Sequence, residues 1–478
     1  MSGVNDRPLG GLLQAPKTIV GARPAGDHLH LTLRNCTHEH TADGLCLIHE
    51  TSRPGGHVTT TSEHPKGNSI RHTLTMVILC LSGGTIYNVV YIFEVYYIPT
   101  QTALDLSKSE MGMLMGVFGA VSLLCYAPGG WLADRFSSRK LITLAMIITG
   151  SSGFYYATFP SYGMAMALHA LWGMSIALIF WNAMIRATRN WAPSDQQGRA
   201  FGFLEAGRGL ASVIPGSILL GVFAWMGSTQ MALATVISAW STIIVLCGVA
   251  AWFVLEDDAP SSAERSNGAQ SGPGWKAVVE VLKMPAVWLI AIIIISANTA
   301  FWATYYFTPY ATEVFLLTVA GAGMLSVGRI WLNPLAPLIS GFVADRFGIS
   351  NFAIILLLVM TVSFGLFAVT PANGSLLNLV VLNGAIAALC IYGLRGIYFA
   401  MLDEQRIPTA VTGTAAGVAS VIGFLPDIYM PVLAGNILDS YPGLPGYRLL
   451  FTGACFASGM GVIAAWMLIR NRRRQVTL

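Results

Sequence analysis

The chain has 478 residues, of which 54% are hydrophobic and only 10% charged, whereas soluble domains carry about 25% charged residues. So few charges cannot build a surface that faces water everywhere, which excludes an ordinary soluble protein, and a net charge of +4 calls for no nucleic-acid partner. The seven cysteines are scattered without a framework spacing, so no disulfide scaffold is implied.

Residues 1–70 differ from the rest. They are polar, rich in Gly, Pro and Thr, and too poor in apolar area to fold alone. Cys36, His38, His40, Cys46 and His49 cluster here, but their spacing fits no standard zinc pattern. The segment therefore reads as a disordered tail with no metal and no cofactor. Val58, shortly before the first apolar run, also reads as an alternative initiation point. The start lacks an early apolar run, so a cleavable signal peptide is not expected.

Twelve apolar runs follow, near 72–98, 109–131, 141–159, 162–188, 200–225, 229–254, 285–310, 318–343, 350–370, 375–402, 410–438 and 447–469. They are called spans 1 to 12 below. Most exceed the ~20 residues that cross a bilayer core, and only helices can do so as open segments. The expected organisation is a six-helix unit at 71–255, a linker at 256–284, a second six-helix unit at 285–470 and a basic tail at 471–478. Lys and Arg set the orientation. Placing both termini in the cytoplasm puts Arg139, Lys140, Arg186, Arg189, Lys283, Arg346 and the Arg470–Arg474 cluster on that side, and leaves only Lys108 and Arg448 opposite. Glycines in the spans invite close helix packing, and Pro128, Pro215, Pro334, Pro337, Pro426 and Pro431 should bend or interrupt them.

The chain repeats itself. Gly130-Trp131-Leu132-Ala133-Asp134-Arg135-Phe136 returns as Gly341-Phe342-Val343-Ala344-Asp345-Arg346-Phe347, an offset of 345 − 134 = 211. The same offset pairs Gly112-Met113-Leu114 with Gly323-Met324-Leu325, Gly202 with Gly413, and Pro215 with Pro426. One constant shift over that distance marks a duplicated unit, and in an apolar chain it points to a transporter of two halves.

The motif Gly130, Leu132, Ala133, Asp134, Arg135, followed by Arg139 and Lys140, resembles the loop signature of the major facilitator superfamily. Ser137 stands where that signature has its second glycine; the second copy keeps it as Gly348 but lacks the basic pair. The resemblance covers residue 72 to the end. It implies an all-α membrane protein of twelve transmembrane helices in two pseudo-symmetric six-helix bundles, in the cytoplasmic (inner) membrane. Spans 1, 4, 7 and 10 would line a central cavity. Asp134 and Arg135 would pack span 2 against span 11 as a conformational switch, with Asp345 and Arg346 doing the same against span 5.

Ionisable residues at membrane depth mark function by default. Six stand out: Glu94, Glu205, Arg208, Arg329, Arg395 and Asp427. Arg329 lies about 24 Å and Asp427 about 25 Å from the same face, by rise per residue. They read either as an anion-binding arginine with an acidic partner or as a structural ion pair within the second half. Glu94 sits among Tyr87, Tyr91, Phe93, Tyr96 and Tyr97, and Tyr87 and Tyr91 share a helical face. It suits proton coupling or an interfacial position. Glu205 and Arg208, three apart, either neutralise each other or belong to a gate with Arg139. Arg395 is on a cavity-lining span by resemblance. His169 reads as a packing histidine or a titrating group.

No phosphate loop, metal motif or nucleophile elbow sits on a suitable background, so no enzyme is expected. Arg395-Gly396-Ile397-Tyr398 and Gly423-Phe424-Leu425-Pro426-Asp427 look like a bacterial branch grouped with sugar-phosphate and organic-anion permeases. That resemblance implies a secondary transporter, symporter or antiporter, monomeric and embedded in the bilayer, for a small organic anion, with proton coupling as one option. The phosphate antiporters carry interior arginines on spans 1 and 7, which this chain lacks, so phosphate-ester exchange is disfavoured. Drug efflux and a transport-like solute sensor are the competing readings.

Overall fold

The computed structural model describes residues 69–193, 196–257 and 275–476. All but the last two residues of the expected tail at 1–70, its Cys/His cluster and most of the linker lie outside the described residues; Ser69 and Ile70 are helical. The described residues form one compact unit.

The described secondary structure is helical. Among these residues, nine helices are long and apolar enough to cross a membrane. The other three of the twelve crossings have local reasons for falling short. Span 1 is two helices, Ser69–Thr85 and Phe93–Leu104, joined by an irregular turn. Span 8 is Val319–Ile330 and Ala336–Phe347. Span 3, Ser138–Tyr156, opens on Arg139 and Lys140. The remaining spans are Lys108–Ala133 (2), Tyr162–Trp191 (4), Gln197–Trp225 (5), Gln230–Val254 (6), Pro285–Thr304 with Phe307–Phe315 (7), Ile349–Val369 (9), Leu377–Ile397 (10), Thr409–Gly423 with Pro426–Ser440 (11) and Leu444–Val476 (12). Span 4 widens to a π-helical turn at Met174–Phe180.

The breaks have chemical causes. Pro334 lies in the gap of span 8, and Pro426 restarts span 11 at its first turn, where a missing N–H costs nothing. Pro128, Pro215 and Pro431 instead sit inside continuous helices. The break in span 1 has no proline. There Asn88 turns its amide back on the Gly84 and Thr85 carbonyls, at 2.8 and 3.2 Å, which competes with the helix ladder. Its carboxamide oxygen accepts from Ser212 of span 5 at 2.9 Å. The repeat keeps the tie: Asn298 of span 7 donates to the carbonyl of Gly423 on span 11, at 3.0 Å, and Gly423 is Ser212 shifted by 211.

One end of the bundle, the linker end, carries the connection between spans 6 and 7; the opposite end is the far end. The two halves meet at the far end. Span 2 packs along the second helix of span 11, the first helix of span 8 packs on span 5, and the second helix of span 1 touches spans 7 and 8. Glycine makes the first contact possible. A Cβ on Gly112 would collide with the Pro431 carbonyl, one on Gly119 with that of Asp427, and one on Gly435 with that of Lys108. Gly323, the repeat partner of Gly112, faces Leu220 and Val95 of the other half. The linker-end helix of span 8 packs on spans 9 and 10, and that of span 11 on span 7, all within their own half. The repeat pairs Gly130/Gly341 and Gly202/Gly413, with Gly417, have nothing within 4 Å of a built Cβ. Close packing is thus present at far-end glycines and absent at these linker-end ones.

Part of the expected linker is a helix, Trp275–Leu282, which packs against span 11. The expected basic tail continues span 12, and Arg472 reaches Glu404. Glu404 also accepts from the backbone N–H of Ser350 at 2.8 Å, joining spans 9, 10 and 12 at the linker end.

Candidate functional site

The centre of the molecule is aromatic because the breaks in spans 1 and 7 fall at the same depth. Tyr91 lies 6.2 Å from Trp302 and 6.0 Å from Tyr305, ring to ring, and Phe93 lies 5.8 Å from Tyr305. These rings bridge the halves. Between them is a cavity of about 180 Å³. Its walls are mostly aromatic and aliphatic together, with a few polar groups: Asn88 and Glu94 from span 1, Ser212 from span 5, Asn333 from the break in span 8, and Tyr392 from span 10. An apolar pocket with sparse, placed polar groups is the usual form of a small-molecule site.

The charged core of the site is Arg329. It is 5% exposed and donates through one Nη to Tyr392 Oη at 2.7 Å and through the other to the Glu94 carboxylate. The Tyr305 ring lies 5.6 Å from its guanidinium carbon. Arg329 is on span 8 and Glu94 on span 1, so this ion pair ties one half to the other. Glu94 and Tyr392 line the cavity and stand between it and the guanidinium.

The Arg329–Asp427 pairing weighed from their common depth is not the arrangement found. Asp427 accepts from Trp302 Nε1 at 2.7 Å, on span 7 of its own half. Equal depth fixed the height of both residues but not their direction around the bundle. Arg395 lays its guanidinium over Phe301, 4.2 Å from the ring centroid, and is half-buried. Among the described residues no carboxylate forms an ion pair with it. Phe301 lines the cavity, as do Tyr87 and Tyr91, so Arg395 stands beside its wall.

The residues assigned to gating divide. Glu205 and Arg208 pair at 2.6 Å, and Arg208 also donates to the Gly83 carbonyl at 3.2 Å, joining spans 5 and 1 within one half. Arg139 pairs with Asp257 at 2.8 Å and Lys140 with the same carboxylate at 3.4 Å. Arg135 stacks on Trp131, 4.1 Å from the ring centroid. Asp134, Arg135, Asp345 and Arg346, to which the resemblance assigns switch contacts, are all exposed. His169 is buried against Tyr156 and Trp172 and bonds the Ala165 carbonyl at 2.8 Å, the packing role weighed for it.

Sequence reasoning missed the polar cluster that closes the far end. Lys108 Nζ pairs with Glu313 at 2.6 Å, and Tyr447 donates to the same carboxylate at 3.0 Å. Asp439 of span 11 accepts from the N–H groups of Lys108 and Ser109, at 3.1 and 2.7 Å, at the start of span 2. A carboxylate there meets unpaired helix N–H groups and the positive end of the dipole. The available signal was acidic residues at the ends of spans 7 and 11 facing the lone far-end lysine. Among the described residues no group of His, Cys, Asp and Glu could hold a metal.

A family model described as Major Facilitator Superfamily matches residues 75–431. The chain is 28% identical over 414 residues to an Escherichia coli K12 protein named inner membrane protein YqcE, covering 85% of this chain and 96% of that one. It is 24% identical over 385 residues to the D-galactonate transporter of Escherichia coli O6:H1, covering 72% and 84%. Among solved structures, it superposes on a bacterial homologue of the human lysosomal transporter Spinster, in an inward-facing and unoccupied conformation. The TM-score is 0.67, with 14% identity and 84% and 98% coverage; at that identity the likeness shows the fold.

Proposed function

The chain belongs to the Major Facilitator Superfamily, a family of transporters and not of enzymes, and from that premise we propose that it carries a sugar-acid-like organic anion across the inner membrane, together with a proton, by alternating access. The observation that carries this reading is the Glu94–Arg329–Tyr392 network on the cavity wall. Arg329 is the natural partner for a substrate carboxylate, because a guanidinium presents a planar fork to it. Glu94 now occupies that fork. Two carboxylates and one guanidinium in a dry site leave an uncompensated charge. A proton on Glu94 removes it and frees Arg329 for the solute. Asn88, Ser212, Asn333 and the tyrosine hydroxyls suit a polyhydroxylated body, and the rings suit its C–H faces. Arg395 offers a second cationic contact. Relatives named as carriers of D-galactonate and of galactarate/D-glucarate support the substrate class.

The linker end is the cytoplasmic end in this reading, since Lys and Arg concentrate there. The structure would then be the cytoplasm-open state of a monomer. The test is uptake of labelled D-galactonate, D-glucarate and a hexuronate into proteoliposomes, with and without an inside-alkaline pH gradient. Accumulation should follow the gradient. Glu94→Gln should retain counterflow but lose gradient-driven accumulation. Accumulation by Glu94→Gln equal to wild type would refute the proton role, and no uptake or exchange of any of these acids would refute the substrate class.

A further inference from the structure

Among the described residues, Arg395 makes no hydrogen bond and no ion pair; its guanidinium lies over the Phe301 ring, 4.2 Å from the centroid. The residue is half-buried, so its five N–H donors have lost part of their water and gained no acceptor, which costs desolvation. Its place is beside the solute cavity. Arg395 follows Tyr392 by three residues on span 10, which puts both on one helix face, with Arg395 about 4.5 Å nearer the linker end. Tyr392 lines the cavity and holds Arg329. Tyr91, from the other half, lines it too, and both tyrosines lie within electrostatic reach of Arg395. Phe301 lies 5.3 Å from Tyr305, ring to ring, and the Tyr305 ring lies 5.6 Å from the guanidinium carbon of Arg329. The two guanidiniums therefore flank one aromatic wall, with Phe301 and Tyr305 between them.

We infer that Arg395 is a specificity-determining residue: it takes the second carboxylate of a dicarboxylic solute whose first carboxylate is held by Arg329. The inference rests on the reading of the central cavity as a sugar-acid site and narrows it to diacids. Charge argues for it. Once a proton on Glu94 frees Arg329, two guanidiniums stand at the solute site. A monoanion meets one of them and leaves the other without an acceptor. A dianion meets both, and each planar fork matches a carboxylate. Asp427 is within electrostatic reach of Arg395 yet bonds Trp302 instead, so the fork of Arg395 stays open. Length argues the same way. The steps of 4.2, 5.3 and 5.6 Å through the two rings, laid end to end, are the most that can separate the guanidinium carbons. A six-carbon diacid is about 6.5 Å long between its carboxyl carbons, at ~1.5 Å per C–C bond. A forked pair adds about 4 Å from carboxyl carbon to guanidinium carbon at each end, which brings the reach close to that limit.

The test compares initial rates of labelled D-glucarate and D-gluconate uptake by the full chain in proteoliposomes, a diacid against the monoacid that lacks one terminal carboxylate. The wild type should take D-glucarate with a kcat/KM at least about tenfold above that for D-gluconate, the scale of one charge-assisted bond. Arg395→Gln should lower that ratio at least about tenfold, chiefly through a raised KM for D-glucarate. Arg395→Lys, which keeps the charge without the fork, should give an intermediate ratio, and it carries the test if the glutamine variant misfolds. Equal efficiency for the two acids in the wild type, or an unchanged ratio in a folded Arg395 variant, would overturn the proposal and leave the sugar-acid reading standing. Uptake of neither acid would overturn both.

Discussion

The Arg329 side chain makes more distinct contacts than any lysine could. Its fork reaches Glu94 and Tyr392 together while its plane lies near Tyr305. An ammonium is a point charge without that geometry. Arg329→Lys should therefore cut uptake by at least about tenfold, with the protein still folded by size-exclusion and circular dichroism; uptake at the wild-type level would remove Arg329 from the substrate site. That Arg329, Glu94 and Asp427 need polar partners inside the bundle was legible from one rule, the cost of charge in lipid. Their partners were not. Position along a helix gives depth, but the side of the helix that a charge faces depends on how spans pack, and Glu94 lies just past an irregular turn that carries no sequence punctuation as strong as proline. Tyr392 and Trp302 were hidden for another reason: tyrosine and tryptophan in a membrane protein read first as interfacial anchors.

At the level of elements, the broken spans bring the cavity residues together, and the far-end cluster ties the two halves to each other there. Glu313 joins Lys108 of span 2 and Tyr447 of span 12, and hydrogen bonds to a charged group contribute about 1.5–3 kcal/mol each. Glu313→Gln should shift the population toward an open far end, read as faster modification of a cysteine placed at Ser109 by a membrane-impermeant maleimide. An unchanged rate would mean that glycine packing alone holds the ends together. Asp439→Ala removes the acceptor for the Lys108 and Ser109 N–H groups and should lower thermal stability by about 1–3 kcal/mol, measured by denaturation in detergent. The twelve spans themselves were legible from length and hydropathy, and their ends moved by a few residues, because polar helix ends such as Phe307–Phe315 and Leu444–Val476 extend past the apolar run that reveals them.

Across the molecule, the 211-residue repeat predicts more than architecture. Gly112 and Gly323 are buried against the opposite half at one end, while Gly202 and Gly413 face open space at the other. In a two-half carrier the second pair should close when the first separates. Gly413→Leu should leave folding and binding from the open side intact and reduce exchange across the membrane by about tenfold or more, because a side chain there blocks backbone approach. Full transport by Gly413→Leu would show that the linker-end seam never closes through this face. A constant offset between two copies of a motif can be read from letters alone; which end of the seam is shut cannot, since each end carries small residues from both copies.

That unshielded seam also has a pharmacological consequence. A rigid binder wedged along Gly202 and Gly413 would act as a doorstop, arresting the cycle without resembling the solute. Raising the solute concentration would not dislodge it.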